Sequence, residues 1–252
     1  MKNLGRIFLL GALVALSSPL AAQTVLRTEF QNTQPKFILG SDGKFSGLCL
    51  EIAALLEKKG DLRFEYPKEF VPVGRIVQDL GAGNIDAFFG FAKTPQREKD
   101  FLFVGELFTT RYQILARKGD PALAIRTIAD LKASGISVLV TPGAATANYF
   151  ANTVGLPTED APASVEVALG QLKAGNGRLF GYYDLGNEWF LDKLHFRDSL
   201  QALPVVFATD AQWLCVSRAL PAAVTVRLGQ ALEAVKKGPE WAALMKKYFP
   251  EN

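Results

Sequence analysis

Hydrophobic and polar positions change rhythm repeatedly along this chain, and each change marks an element. Val25–Phe30 reads as a strand that ends before the turn-rich QNTQPKF (31–37). Gly40-Ser41-Asp42-Gly43 is a turn, and Phe45-Ser46-Gly47 leads into a helix from about Cys49 to Lys59, closed by Gly60. Leu62–Tyr66 alternates as a second strand, Val73–Leu80 is helical with Gly81 and Gly83 as its stop, and Ile85–Phe91 is a buried strand. After Thr94-Pro95 come a polar helical turn, Gln96–Asp100, and two strand segments, Phe101–Val104 and Arg111–Ala116.

Past the break at Arg117–Pro121 a new series begins: helix Ile128–Ala133, strand Ile136–Val140 and helix Pro142–Asn152. Helix Ser164–Lys173, strand Arg178–Tyr183 and helix Leu185–Leu194 follow. The last elements are strand Trp213–Val216, a helix from Pro221 to Lys237 and a helix over Glu240–Tyr248. Strands separated by helices predict parallel α/β sheets. One plan occurs twice. Leu80–Gly90 (LGAGNIDAFFG) and Leu172–Asp184 (LKAGNGRLFGYYD) each give a helix end, an Ala-Gly-Asn turn and an aromatic-rich strand. This is too brief for a solenoid. It suits two lobes of similar topology, each placing a strand's C-terminal end at a shared crevice.

The N-terminus has another character. Lys2 and Arg6 precede the uncharged apolar run Ile7–Leu16 and the small-residue stretch Ser17–Ala22. This order predicts a secretory signal peptide over 1–22, too short to span a bilayer, followed by Gln23 instead of a lipid-accepting cysteine. The expected product is a periplasmic protein without a lipid anchor. Cleavage leaves 230 of 252 residues and lowers the formal charge from +3 to +1, because Lys2 and Arg6 are lost. Near-neutrality argues against nucleic acid as a partner. Cys49 and Cys215 both lie in apolar stretches; they read as two buried thiols, with a bridge as the alternative.

Enzymatic constellations are sparse. His195 is the only histidine, and it follows a helix end, where a solvent-facing or dipole-capping role fits. One histidine and two distant cysteines give no zinc spacing, and Gly81-Ala82-Gly83 precedes a strand and lacks the third glycine of a dinucleotide fingerprint. No metal or cofactor is expected. Three features carry ligand chemistry. Arg97, after the strand DAFFGF, can grip a carboxylate bidentately or pair with Asp100 on the surface. Pro142–Thr146 opens a helix with small residues, suited to an anion or to an ordinary strand-to-helix turn. Asp184 can accept from an ammonium group or cap the following helix. Together they suit a zwitterion, with Phe30, Phe70, Phe91 and Tyr183 as candidate walls or core.

From Val25 to Phe249 the order of elements resembles the extracellular solute-binding proteins typified by those for polar amino acids, which feed ABC importers. The stretches that carry it are PKF (35–37), DGKFSGLCLEIAALLEKK (42–59), LGAGNIDAFFGFAKTPQREKDFLF (80–103), LVTPGAATANYF (139–150), LKAGNGRLFGYYD (172–184) and EWAALMKKYFP (240–250). The resemblance implies the two-lobed type II periplasmic-binding-protein fold, α/β, with two parallel-rich sheets joined by crossover strands near Thr110–Ala116 and Asp210–Val216. Lobe 1 would be discontinuous, 23–111 with 212–252, and lobe 2 would be 112–211.

By motif position, Arg97 is implied as the carboxylate-binding arginine, with Gly90, Ala92 and Thr94 beside it. Gly143, Ala144 and Ala145 are implied as the anion-binding helix start, and Asp184 as the ammonium-binding aspartate. Where the family carries aromatics, this chain presents Gln34 and, in FVPVGR, Arg75. Ala92 replaces a usual Ser or Thr. These departures leave room for a small carboxylate other than an ordinary amino acid, or for a more polar solute. The implied function is capture of a small polar ligand by hinge closure and delivery, as a monomer, to an inner-membrane ABC permease, without catalysis. The rival readings are a cyclohexadienyl-dehydratase-like relative using Glu29 or Asp184 as general acid, an exported sensor, and an interaction scaffold.

Overall fold

A computed structural model describes residues 23–142, 144–161 and 164–249. The expected signal segment and Gly143 lie outside the described residues. Strand β1 (Thr24–Arg27) is followed by a small hairpin, β2 (Ile38–Leu39) with β3 (Phe45–Ser46). Helix α1 (Leu48–Gly60) buries Leu48, Cys49, Ile52, Ala53 and Leu56, the three- and four-residue spacing of one apolar face. Its free N-terminal amides find partners in the preceding segment: Leu48 N donates to Pro35 O and Cys49 N to Lys36 O, both at 3.0 Å. That close approach needs Gly47, at φ 116°, where a Cβ would stand 2.6 Å from Pro35 O. The helix start therefore fixes where Lys36 lies.

Strand β4 (Leu62–Glu65) buries Leu62 and Phe64, exposes the charged residues between them, and pairs in parallel with β1. Helix α2 (Val73–Ala82) leads to the fully buried β5 (Ala87–Ala92), which a parallel bridge from Ala87 to Thr28 ties to the β1 side. After the short helix α3 (Pro95–Asp100) comes β6 (Phe101–Arg117). The two strand segments read from the sequence are thus one 17-residue strand. Pairing with the later strand β11 (Thr209–Ser217) runs from Phe101 to Arg111 and keeps the intervening residues extended.

The chain then builds α4 (Ile128–Ala133), β7 (Val138–Val140), α5 (Ala145–Asn148) running into a π-helical turn to Val154, and β8 (Thr158–Asp160). It continues with α6 (Val165–Ala174), β9 (Leu179–Tyr183), α7 (Asp184–Lys193) and β10 (Leu200–Ala202). After β11, helices α8 (Ala222–Lys236) and α9 (Pro239–Tyr248) pack back onto α1. The strand path is β5-β11-β6-β9-β7-β8. Parallel pairs are β7 with β8 and β9 at one end of it, and β1 with β4 in a separate two-stranded sheet that the Thr28–Ala87 bridge ties to β5 at the other. The antiparallel β6 and β11 link them, and β6 changes partner between Arg111, opposite Thr209, and Tyr112, opposite Tyr183. Cys49 and Cys215 are free and buried, and burial pushes the Cys49 thiol up to about 12.

Candidate functional site

The partner change in β6 brings the C-terminal ends of β5 and β9 to one cavity of about 430 Å³. The segment 31–34, Lys36, residues 70–73, the middle of β6, the start of β11 and the starts of α5 and α6 add to its walls. Aromatic rings supply the apolar part, among them Phe70, Phe91, Tyr112 and Tyr183. Phe30 is instead core, stacked on Phe37 with centroids 4.6 Å apart.

On the β5 side, Thr94 does not reach the cavity wall; it caps α3, its hydroxyl accepting from Arg97 N at 3.2 Å. That cap, with Pro95 behind it, turns Arg97 back over the strand it follows. Arg97 Nη1 donates to Ala92 O at 2.9 Å, and the guanidinium lies 4.3 Å from the centre of the Phe91 ring. Asp100 accepts from Gln96 instead of from Arg97. Gly90 and Ala92 line the cavity beside it.

Next to Arg97 is a second cation that the sequence reading did not single out. Lys36 is only 6% exposed; its Nζ donates to Gly90 O at 3.3 Å and Gln212 Oε1 at 3.0 Å, and stands 5.2 Å from the centre of the Tyr183 ring. Burial lowers its pKa to about 8, with Arg97 adding to the shift and Asp210 opposing it. Asp210, also at the cavity, accepts from the Tyr112 hydroxyl at 2.8 Å. Burial first, and this bond second, push the Tyr112 phenol well above its ordinary range.

The β9 side is built differently. Ala144 and Ala145 line the cavity as the start of α5, with Thr141 and Thr146 beside them. The hydroxyls of both threonines are buried without a hydrogen-bond partner among the described residues, and Thr146 is 3% exposed. Asp184, expected at the ammonium position, is not part of the wall. Its carboxylate accepts from Arg111 N and Nε, both at 3.0 Å, and from Leu185 N at 2.7 Å. The cause is register: Tyr112 stands opposite Tyr183, so the next residue of β6 outward, Arg111, meets the residue that opens α7. The wall position goes to Tyr183, whose hydroxyl donates to Gln34 O at 2.9 Å across the cavity.

Two other expected residues also divide. Gln34 lines the cavity, although its side-chain amide donates to Asn32 Oδ1. Arg75 does not: its side chain is 63% exposed and pairs with Asp79 one helical turn away. Glu29, a candidate general acid, is likewise absent from the wall, and burial raises its carboxyl pKa. The residues missed by sequence reasoning, Lys36, Tyr112, Asp210 and Gln212, come from the segment before α1 and from the two linking strands. The one available signal was a lysine between Pro35 and the apolar run Phe37-Ile38-Leu39, at the end of a polar turn.

Comparison with known proteins agrees with this architecture. No curated protein sequence matches the chain. Among solved structures, an ancestral arginine-binding protein bound to arginine is similar, with TM-score 0.74 and 21% identity over 90% of this chain and 99% of that one. So is an ABC uptake transporter substrate-binding protein from Streptococcus pneumoniae with bound histidine, with TM-score 0.72 and 15% identity over 90% and 93%. A histidine kinase sensor domain with similarity to periplasmic binding proteins gives TM-score 0.76 and 17% identity over 90% and 96%. Identities this low speak for the fold, the mixed α/β type II periplasmic-binding-protein fold. The family model for bacterial extracellular solute-binding proteins, family 3, matches residues 26–251. The chain therefore belongs to the family 3 bacterial extracellular solute-binding proteins.

Proposed function

We propose that this protein captures a small polar solute bearing a carboxylate, an amino acid or a related acid, and passes it to an ABC permease of the inner membrane. It does so in the periplasm as a monomer. Its moving parts are two lobes, 23–111 with 212–252 and 112–211, meeting where β6 exchanges β11 for β9. A solute held by both lobes binds the closed arrangement better and shifts the population toward it.

The observation that carries this reading is Arg97. It is held at the end of β5 by the Thr94 cap and Ala92 O, faces the cavity, and has no carboxylate partner among the described residues. A guanidinium so placed is a fork for an incoming carboxylate. The two carboxyls that a catalytic relative would use as general acid are out of place for it: Glu29 and Asp184 stand off the cavity wall, and Asp184 is engaged by Arg111. A thermal-shift screen of amino acids and small carboxylates on residues 23–252 tests the reading. A true ligand at a hundred times its Kd should stabilise the fold by about 2.7 kcal/mol. The same ligand should bind Arg97→Lys about ten- to a hundredfold more weakly, with the unliganded melting point kept. Unchanged affinity in Arg97→Lys would remove the carboxylate clamp from the account.

A further inference from the structure

Four charged side chains among the described residues line the cavity: Lys36, Arg97, Glu166 and Asp210. Glu166 already has a partner, Lys193 Nζ at 3.1 Å, and Asp210 is held by Tyr112. The two cations make no ion pair with any described carboxylate. Both rest on carbonyls of one strand, Lys36 on Gly90 O and Arg97 on Ala92 O, two residues apart. Charges removed from water without a counter-ion are costly, and such groups concentrate where a ligand supplies the missing charge. The opposite wall adds Glu166, already paired with Lys193, and the unpartnered hydroxyls of Thr141 and Thr146, while Arg111 holds Asp184 off it.

We infer that Lys36 is a second ligand anchor, and that the cavity selects a small acid with two carboxylates over an amino acid with one. The inference rests on the solute-binding reading and narrows it. Arg97 grips one carboxylate with its fork, as the free donors of its guanidinium allow. Lys36 faces the other: Gly90 O and Gln212 Oε1 occupy two of its three ammonium donors, leaving one for the solute. Asp210 has one carboxylate oxygen engaged by Tyr112, and its other oxygen is the acceptor for an ammonium group if the acid carries one. The shared chemistry is therefore a dicarboxylate, with or without an amino group. A single-carboxylate amino acid leaves the Lys36 charge buried and unanswered, which is the basis of discrimination.

The experiment uses matched pairs in titration calorimetry on residues 23–252: L-glutamate against L-glutamine, L-aspartate against L-asparagine, and glutarate against butyrate. The dicarboxylate of at least one pair should bind about ten- to a hundredfold tighter than its partner. In Lys36→Met that gap should close, while Lys36→Arg, which keeps the charge, retains part of it. Preference for glutamate over glutarate would assign the ammonium to Asp210, and the reverse would assign a plain diacid; either supports the inference. Equal affinity within every pair, or a gap that survives in a folded Lys36→Met protein, overturns it. If single-carboxylate amino acids bind tightly and depend on Arg97 alone, only this inference fails. If no solute of any kind binds, the solute-binding reading fails with it. The comparison within the parent protein stands even where Lys36→Met does not fold.

Discussion

Strands β5 and β9 follow the same local plan and end at the same cavity, yet a cation stays at the end of one while the carboxylate at the end of the other is turned away. Each is preceded by a helix closed by a glycine in the left-handed region, Gly83 at φ 79° and Gly175 at φ 95°. Each next residue is an asparagine whose amide returns to the helix, Asn84 N to Asp79 O and Asn176 N to Gln171 O, at 2.8 and 2.9 Å. Counting on from those turns, Ala92 and Asp184 are equivalent, and so are Phe89 and Gly181. Ala92 has no polar side chain, so its carbonyl takes Arg97 and the cation stays at the cavity. Asp184 has a charge, and Arg111 and the first turn of α7 consume it. A repeated scaffold thus brings two strand ends to one cavity, while the residue at the passage from strand to helix, Ala92 in one and Asp184 in the other, sets what charge remains there.

The comparison can be pressed at its largest contrast. Gly181 leaves room for the ring of Phe150, which is fully buried, whereas β5 fills the equivalent position with Phe89 itself. Phe150→Ala should cost about 3–5 kcal/mol in urea unfolding, a loss confined to the β9 side. Gly181→Ala should cost about 1–3 kcal/mol, since a Cβ there would stand 2.6 Å from the Phe150 ring carbons; double substitution with Phe150→Leu should recover part of it. Additive losses would show that the two residues do not share that space.

Lys36 offers a contrast in pH. Its folded pKa, about 8, lies below the ordinary lysine value of 10.5, because burial, reinforced by Arg97, outweighs the opposing influence of Cys49 and Asp210. A depressed lysine binds fewer protons folded than unfolded between those values, so its penalty is full below about 8 and relieved as pH rises toward 10.5. The unliganded protein should therefore gain stability relative to Lys36→Met over that window, by at most about 1.4 kcal/mol per pH unit. Anion affinity should fall over the same range. A stability difference that moves the other way would contradict the buried-ammonium account. The smallest effect belongs to Asp184→Asn. Its partner Arg111 has a side chain 62% exposed, so the pair should contribute only about 1 kcal/mol or less, read as a small drop in melting temperature.

Much of this was legible in the chain. The Ala-Gly-Asn turns announced two equivalent strand ends, and the polar turn Gln96–Asp100 announced the short helix, Pro95–Asp100, that carries Arg97. Element boundaries were legible wherever glycine caps or apolar spacing set them, as in α1 and α6. The unity of β6 was not, because what keeps Gly105–Thr110 extended is pairing with a strand more than 90 residues away. The position of Asp184 off the cavity wall was hidden for a similar reason: its partner Arg111 is its neighbour only through the β6–β9 register. Lys36 escaped notice because a lysine beside a turn normally faces water, and only the packing of α1 against residues 35–36 buries it.

The account turns on one asymmetry, that the cation at the end of β5 holds the solute and the carboxylate at the end of β9 does not. Titration calorimetry of Arg97→Ala and Asp184→Asn side by side, with the tightest solute from the screen, measures it directly. Arg97→Ala should lose at least ten- to a hundredfold in affinity while Asp184→Asn stays within about threefold of the parent. Loss of binding in Asp184→Asn, with Arg97→Ala binding as the parent does, would contradict it.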